Sequence, residues 1–183
     1  MTLHVAKRIW SDEELLALPK DGYDHELIDG EIVMSPAGSE HGAIIMRIGG
    51  PLFTFVMAHK LGEVVDGQTG CRMATGDLLS PDVSFVINNR WKTHRANAET
   101  FFHGGPDLVV EVLSPDDTPT IVARKMELYF NNGTRLAWVV HPRKRAVDVY
   151  RSLEQRRTVN ASASLDGEEI VPGFTLPLVN VFL

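Results

Sequence analysis

The chain has 183 residues, a hydrophobic fraction of 44% and a charged fraction of 23%, which supplies a full core for one folded domain and argues against overall disorder. Eighteen Lys and Arg stand against 24 Asp and Glu, a formal charge of −6, which excludes a protein that coats nucleic acid by bulk positive charge but not one with a local site. A single cysteine, Cys71, excludes an internal disulfide and cannot alone supply a structural zinc site.

Apolar runs such as residues 136–140 are about five residues long, short of the ~20 a membrane span needs, and residues 1–16 lack an apolar core of signal-peptide type. The expectation is a cytoplasmic protein with no membrane contact.

In chain order, Ser11 followed by Glu14 is a capping-box pattern, predicting a short helix to Leu18 that stops before Pro19. Residues 23–34, from Tyr23, carry Asp29-Gly30 between apolar flanks and predict a hairpin. From 40 to 61, Ile44, Ile45, Ile48, Leu52, Phe55 and Val56 recur at helical spacing, with Gly62 suited to a C-cap. Gly49-Gly50-Pro51 inside this pattern predicts a kink or a break.

Residues 63–75 read as one or two strands around Asp66-Gly67-Gln68, and 81–87 and 107–113 as short β-branched strands. Residues 88–105 are polar and read as a long surface loop. Residues 120–131 have helical periodicity, and 136–140 with 146–150 form a hairpin. The tail, 171–183, contains Pro172-Gly173 and Pro177 and reads as an irregular wrap. This order describes a mixed α/β domain built round one sheet with helices on its faces. No linker or repeat divides it, so residues 1–183 read as a single domain.

Four residues resist a packing explanation. Glu111 lies inside Leu108-Val109-Val110-Glu111-Val112-Leu113; alternation puts it with Val109 and Leu113, and both faces are apolar, as in a central strand. An ionised carboxylate there is costly unless it is paired or holds a metal. The alternatives are an ion pair with arginine and a strand end that reaches water. Asp82 follows Pro81 at the start of the strand 83–87, where Pro-Asp is also an ordinary turn signal. Two carboxylates on adjacent strands can converge on a hard cation such as Mg²⁺.

Lys125 shares a helix face with Ile121, Val122 and Tyr129, the side expected to meet the sheet, where a lysine either works or snorkels past its neighbours. Glu26 is the fourth; a solvated carboxylate is its simpler explanation.

The segments Tyr23-Asp24-His25-Glu26-Leu27-Ile28-Asp29-Gly30-Glu31, Ser80-Pro81-Asp82-Val83, residues 106–115 (PDLVVEVLSP) and residues 124–129 (RKMELY) resemble the Uma2 family of restriction-endonuclease-like proteins. Residues 136–140 and Pro172-Gly173-Phe174 resemble it too, so the likeness runs from about residue 10 to the end. The family is similar to the PD-(D/E)XK nucleases, and the resemblance implies a restriction-endonuclease-like α/β core, a central mixed sheet flanked by helices with an N-terminal helix and hairpin.

It also implies that Asp82 and Glu111 are metal carboxylates, with the Val112 carbonyl a further ligand. The superfamily lysine falls two residues after the acidic one, where this chain has Leu113; the family supplies it from the next helix, at Lys125. Glu26 matches an N-terminal acidic position, and the resemblance implies that it joins Asp82, Glu111 and Lys125 in the catalytic site. Ile121 and His141 stand where many relatives have Asp.

The implied function is a Mg²⁺-dependent endonuclease hydrolysing DNA phosphodiester bonds, with Mn²⁺ a substitute. In it Lys125 orients water and stabilises transition-state charge. DNA contact is expected to be weak or local. Residues 143–157 hold Arg143, Lys144, Arg145, Arg151, Arg156 and Arg157 against Asp148 and Glu154, a hairpin that either meets phosphates or is simply solvated. The seven histidines show no HxxxH or HxH spacing, which argues against a zinc enzyme. The rivals are a catalytically silent nuclease-fold module binding nucleic acid or protein, and a hydrolase of another phosphate ester. A homodimer is compatible with the sequence.

Overall fold

The computed structural model describes residues 10–18, 24–35, 38–97 and 100–183. In chain order the elements are α1 (Asp12–Leu16), β1 (Asp24–Ile28), β2 (Glu31–Ser35), α2 (Ser39–His59), β3 (Gly62–Asp66), β4 (Cys71–Arg72) and β5 (Leu78–Leu79). They continue with β6 (Val83–Ile87), α3 (Asn88–Asn97), β7 (Phe102–His103), β8 (Leu108–Val112), α4 (Pro119–Asn131), β9 (Leu136–His141) and β10 (Ala146–Tyr150). The chain ends through β11 (Arg156–Asn160), β12 (Ser164–Asp166) and β13 (Thr175–Pro177), with 3-10 turns at Pro142–Lys144 and Leu178–Asn180.

The mixed α/β class holds, but not the single sheet. A six-stranded sheet runs β11-β10-β9-β8-β6-β3, a five-stranded one runs β2-β1-β5-β4-β7, and β12 pairs with β13. In the large sheet only β8 and β9 are parallel, with α4 as their crossover, as a parallel pair requires. The parity of β8 sorts the two cores. Leu108, Val110 and Val112 join Leu136, Trp138 and Val140 under α2 and the C-terminal tail. Val109, Ala137 and Val139 lie on the other face, under α4 and residues of the second sheet such as Cys71 and Leu79. The tail is less irregular than expected, because β13 pairs with β12 and buries Leu176.

α1 has its capping box, with Ser11 N–H donating to Glu14 (2.9 Å) and Glu14 N–H to Ser11 Oγ (3.2 Å), but ends at Leu16; Pro19 and Tyr23 lie outside the described residues. The Asp29-Gly30 turn has both residues at positive φ (55° and 85°), the primed-turn geometry that matches strand twist.

α2 runs unbroken through Gly49-Gly50-Pro51. One proline removes a single backbone donor, while Ile44, Ile48, Leu52 and Val56 stay buried along one stripe. A Cβ at Gly49 would lie 3.2 Å from Val83 Cγ2, so the glycine serves close packing on β6. By length and composition α2 also meets the requirement for crossing a membrane, contrary to the expectation from short apolar runs; its buried stripe here packs on the large sheet.

The C-cap of α2 is Lys60 in left-handed geometry (φ 53°), not Gly62. Gly62 opens β3, where a Cβ would sit 2.0 Å from the Val86 carbonyl oxygen. The expected loop at 88–105 instead holds α3 and β7. α3 buries no residue, so it lacks the apolar period that reveals helices. Arg90 ties it down, pairing with Asp107 (3.1 Å) and donating to the Gly105 carbonyl (2.8 Å).

Gly62→Ala should destabilise the fold by about 1–3 kcal/mol, as overpacked substitutions do, because the methyl meets backbone that cannot step aside. Urea denaturation against wild type reads this difference.

Candidate active site

Glu111 sits mid-sheet on β8, buried at 8% exposure on the face toward α4. Pairing of Val83 with Val110 brings Asp82, just before β6, alongside it. α4 starts behind a Thr118 cap, with Pro119 in its first turn, and its pitch aims Lys125 and Tyr129 at the same carboxylate. Lys125 Nζ donates to Glu111 Oε2 (2.6 Å), and the Tyr129 hydroxyl to Glu111 Oε1 (2.5 Å). The same ammonium meets Glu26 Oε2 at 2.9 Å, while the Ser80 N–H donates to Glu26 Oε1 (2.8 Å). Glu26 is therefore not a solvated carboxylate. β1 carries it in from the second sheet, and the bidentate Asp29–Arg124 pair (2.8 and 2.9 Å) clips that hairpin to α4.

Asp82 Oδ2 accepts from the Val112 N–H (2.6 Å). The Val112 carbonyl faces His41 Nε2 at 2.7 Å, and this nitrogen is 3.5 Å from Asp82 Oδ2. A cation at that carbonyl would share it with the imidazole, which occupies one side of the oxygen. Around these groups is a cavity of about 60 Å³, whose wall also includes Asp117.

The charge balance is unequal, since Glu26, Asp82 and Glu111 face one ammonium. Burial, then the neighbouring Glu26 and Asp82, push Glu111 up to about 7 against the pull of Lys125. Burial, Glu26 and Asp117 push Asp82 up to about 6, against the Val112 N–H and Lys125. Burial works against the charge on Lys125, but Glu111 and Glu26 override it and hold the ammonium above its ordinary range. Both partners thus shift upward, which favours the charge on Lys125 and disfavours it on Glu111. One cation shared by several acids explains both: the lysine gains two partners, while each carboxylate gains part of one. Tyr129 is raised well above its ordinary value by burial and Glu111, so it is a neutral donor.

The five residues singled out in the sequence (Glu26, Asp82, Glu111, Val112 and Lys125) all line this one cavity. His41 and Tyr129 were not singled out. His41 belongs to no histidine spacing, and Tyr129 reads as one more apolar residue of α4; only the fold turns them inward.

A family model described as "Putative restriction endonuclease", Uma2, matches residues 12–179. The chain belongs to the Uma2 family. A crystal structure of "a putative nuclease belonging to DUF820" from Anabaena variabilis ATCC 29413 is similar in fold, with a TM-score of 0.80 at 24% identity over 93% of this chain and 96% of that one. At that identity the likeness carries the fold alone. No curated protein matches the chain. Within the Uma2 fold of this chain, no three His, Cys, Asp or Glu side chains among the described residues are already arranged as an ion cage. Lys125 Nζ lies between two of the carboxylates instead.

Two predictions follow from the charge balance. Folded Glu111 and Asp82 bind protons more tightly than unfolded carboxyls, so the native state holds more protons between about pH 5 and 7. Stability of the metal-free protein should therefore fall as pH rises through that window, and Glu111→Gln should flatten the fall. Thermal unfolding in EDTA across pH 5–8 measures both.

Lys125→Met strands Glu111 and Glu26 without their cation, which should cost about 3–5 kcal/mol at pH 8. The loss should shrink at pH 5, where the carboxyls take up protons, and denaturant titration at the two pH values compares them.

Proposed function

We propose that this Uma2 chain is a divalent-cation-dependent phosphodiester hydrolase acting on DNA. The observation that carries the reading is the gathering of Glu26, Asp82 and Glu111 round a single ammonium, in a cavity open to solvent. Carboxylates held that close, with two pushed above their ordinary range, have more negative charge than Lys125 balances. Asp82, Glu111 and the Val112 carbonyl supply hard oxygen donors, the set that suits Mg²⁺ or Mn²⁺. A bound ion would acidify a water and polarise the phosphoryl oxygen.

The remaining parts belong to the chain. The Val112 N–H fixes one Asp82 oxygen, and the Tyr129 hydroxyl fixes one Glu111 oxygen, so each carboxylate keeps a set orientation. Lys125 places an ammonium in the cavity wall to meet charge developing on a phosphoryl oxygen. Glu26, held by the Ser80 N–H, draws the lysine toward the cavity.

A second reading has its own support. Lys125 already closes the Glu26–Glu111 gap, as in a purely structural ion triad, and that favours a catalytically silent nucleic-acid or protein-binding module. Cation binding separates the two.

Calorimetric Mn²⁺ titration should show one site in wild type, lost in Asp82→Asn and Glu111→Gln, and retained in Lys125→Met. Single-turnover DNA cleavage should vanish in the first two and slow by about 10²–10³ in the third. No cation binding by the wild type would favour the structural triad.

A further inference from the structure

A second cavity, of about 320 Å³, lies beside the acidic one, and His41 lines both. It opens at the C-terminal ends of β8 and β9, where the Leu113 N–H donates to the Val140 carbonyl (2.9 Å). Beyond that pair the chain leaves β8 through Ser114-Pro115 and β9 through the Pro142–Lys144 turn, and the first turn of α2 closes the third side. The carboxyl ends of parallel strands are where α/β sheets collect ligands.

The walls differ in character. Leu113, Pro115 and Pro142 give apolar surface. The His141 ring stands beside them, held by Asp148 at 3.0 Å. Arg143 and Lys144 stand exposed at the rim. The other four cations of the hairpin are engaged: Arg145 with the Phe182 carbonyl, Arg151 and Arg157 with Glu168, and Arg156 near Asp148. Among the described residues, Arg143 and Lys144 make no ion pair, so their charge is free to meet an anion at this rim. Glu40, in the first turn of α2, adds one negative charge to the lining, away from the Pro142–Lys144 turn in the chain.

We propose that this cavity is a subsite for one unpaired nucleotide next to the scissile phosphate. Its base lies against Leu113, Pro115 and Pro142, and its phosphate meets Arg143 and Lys144. The volume is at the small end of ligand cavities, enough for about one nucleotide and not for a stacked pair. A base inside a duplex is stacked and paired and does not enter a concave site without being turned out. The preferred substrate is therefore a strand that is single-stranded at this position. Leu113 packs in part against the core on the α4 side and gives its remaining surface to this cavity. The inference rests on the phosphodiester reading above and deepens it.

The test separates the two. In EDTA, fluorescence anisotropy should show a 12-nucleotide single strand binding at least tenfold tighter than the blunt duplex of the same sequence. One abasic position within the contact should erase most of that preference, which bulk charge would not. Pro115→Glu, which adds a carboxylate to an exposed loop, should weaken single-strand binding about tenfold and leave Mn²⁺ binding at the acidic site intact. Arg143→Ala with Lys144→Ala should do the same. Deoxyadenosine monophosphate, but not deoxyribose 5-phosphate, should shift the amide signals of Leu113 and His141.

Equal affinity for strand and duplex, or an abasic strand that binds as well as the intact one, would overturn the subsite. So would single-strand cleavage at the wild-type rate by Pro115→Glu, with the hydrolase reading left standing. Abasic-sensitive strand binding with no cleavage in Mg²⁺ or Mn²⁺ supports the subsite and refutes the hydrolase.

Discussion

One ammonium shared between two carboxylates is the constraint around which this molecule is arranged. Lys125 joins Glu111, in the middle of the large sheet, to Glu26, on the first strand of the second sheet. A carboxylate buried as deeply as Glu111 is costly unless it is paired and its remaining lone pairs are bonded. The lysine and the Tyr129 hydroxyl meet that condition for Glu111 itself. They do not meet it for the group, because Asp82 adds a further negative charge beside the same lysine. The hydrogen bond from the Val112 N–H orients Asp82 but brings no positive charge.

The parity of β8 turns this local imbalance into a site. Val110 and Val112 face α2, whereas Val109 and Glu111 face α4, so one strand feeds two different interiors. The backbone of Val112 communicates between them: its N–H reaches Asp82 and its carbonyl reaches His41 of α2. α2 thus contributes to the site although its sequence is mainly that of a packing helix. The glycine that lets it approach β6 is part of the same arrangement.

The basic segment shows how tertiary context reassigns charge. Six cations close in sequence read either as a phosphate-binding patch or as a solvated hairpin. Folding engages four of them: Arg151 and Arg157 share Glu168, Arg156 lies near Asp148, and Arg145 bonds the C-terminal backbone. The two left, Arg143 and Lys144, stand in the turn that flanks the second cavity.

Local pattern was sufficient wherever the determinant is itself local. The Ser11–Glu14 box, the Asp29-Gly30 turn, the strand parity of Glu111 and the helical face of Lys125 each depend on neighbours within four residues. A charge set into an apolar period is visible at that range. α3 was not visible, because a helix that buries nothing has no apolar period and is held instead by Arg90 on Asp107. The continuity of α2 across Pro51 was not visible either, since the buried stripe that outweighs one missing hydrogen bond needs the sheet beneath it. The division into separate sheets, the inward turn of His41 and the Tyr129 bond to Glu111 are likewise agreements between segments far apart in the chain. Sequence determined which residues carry charge that packing cannot explain. Tertiary structure alone decided how those charges are divided, because the field at a buried carboxylate is set by groups brought within a few ångströms of it, whatever their separation along the chain.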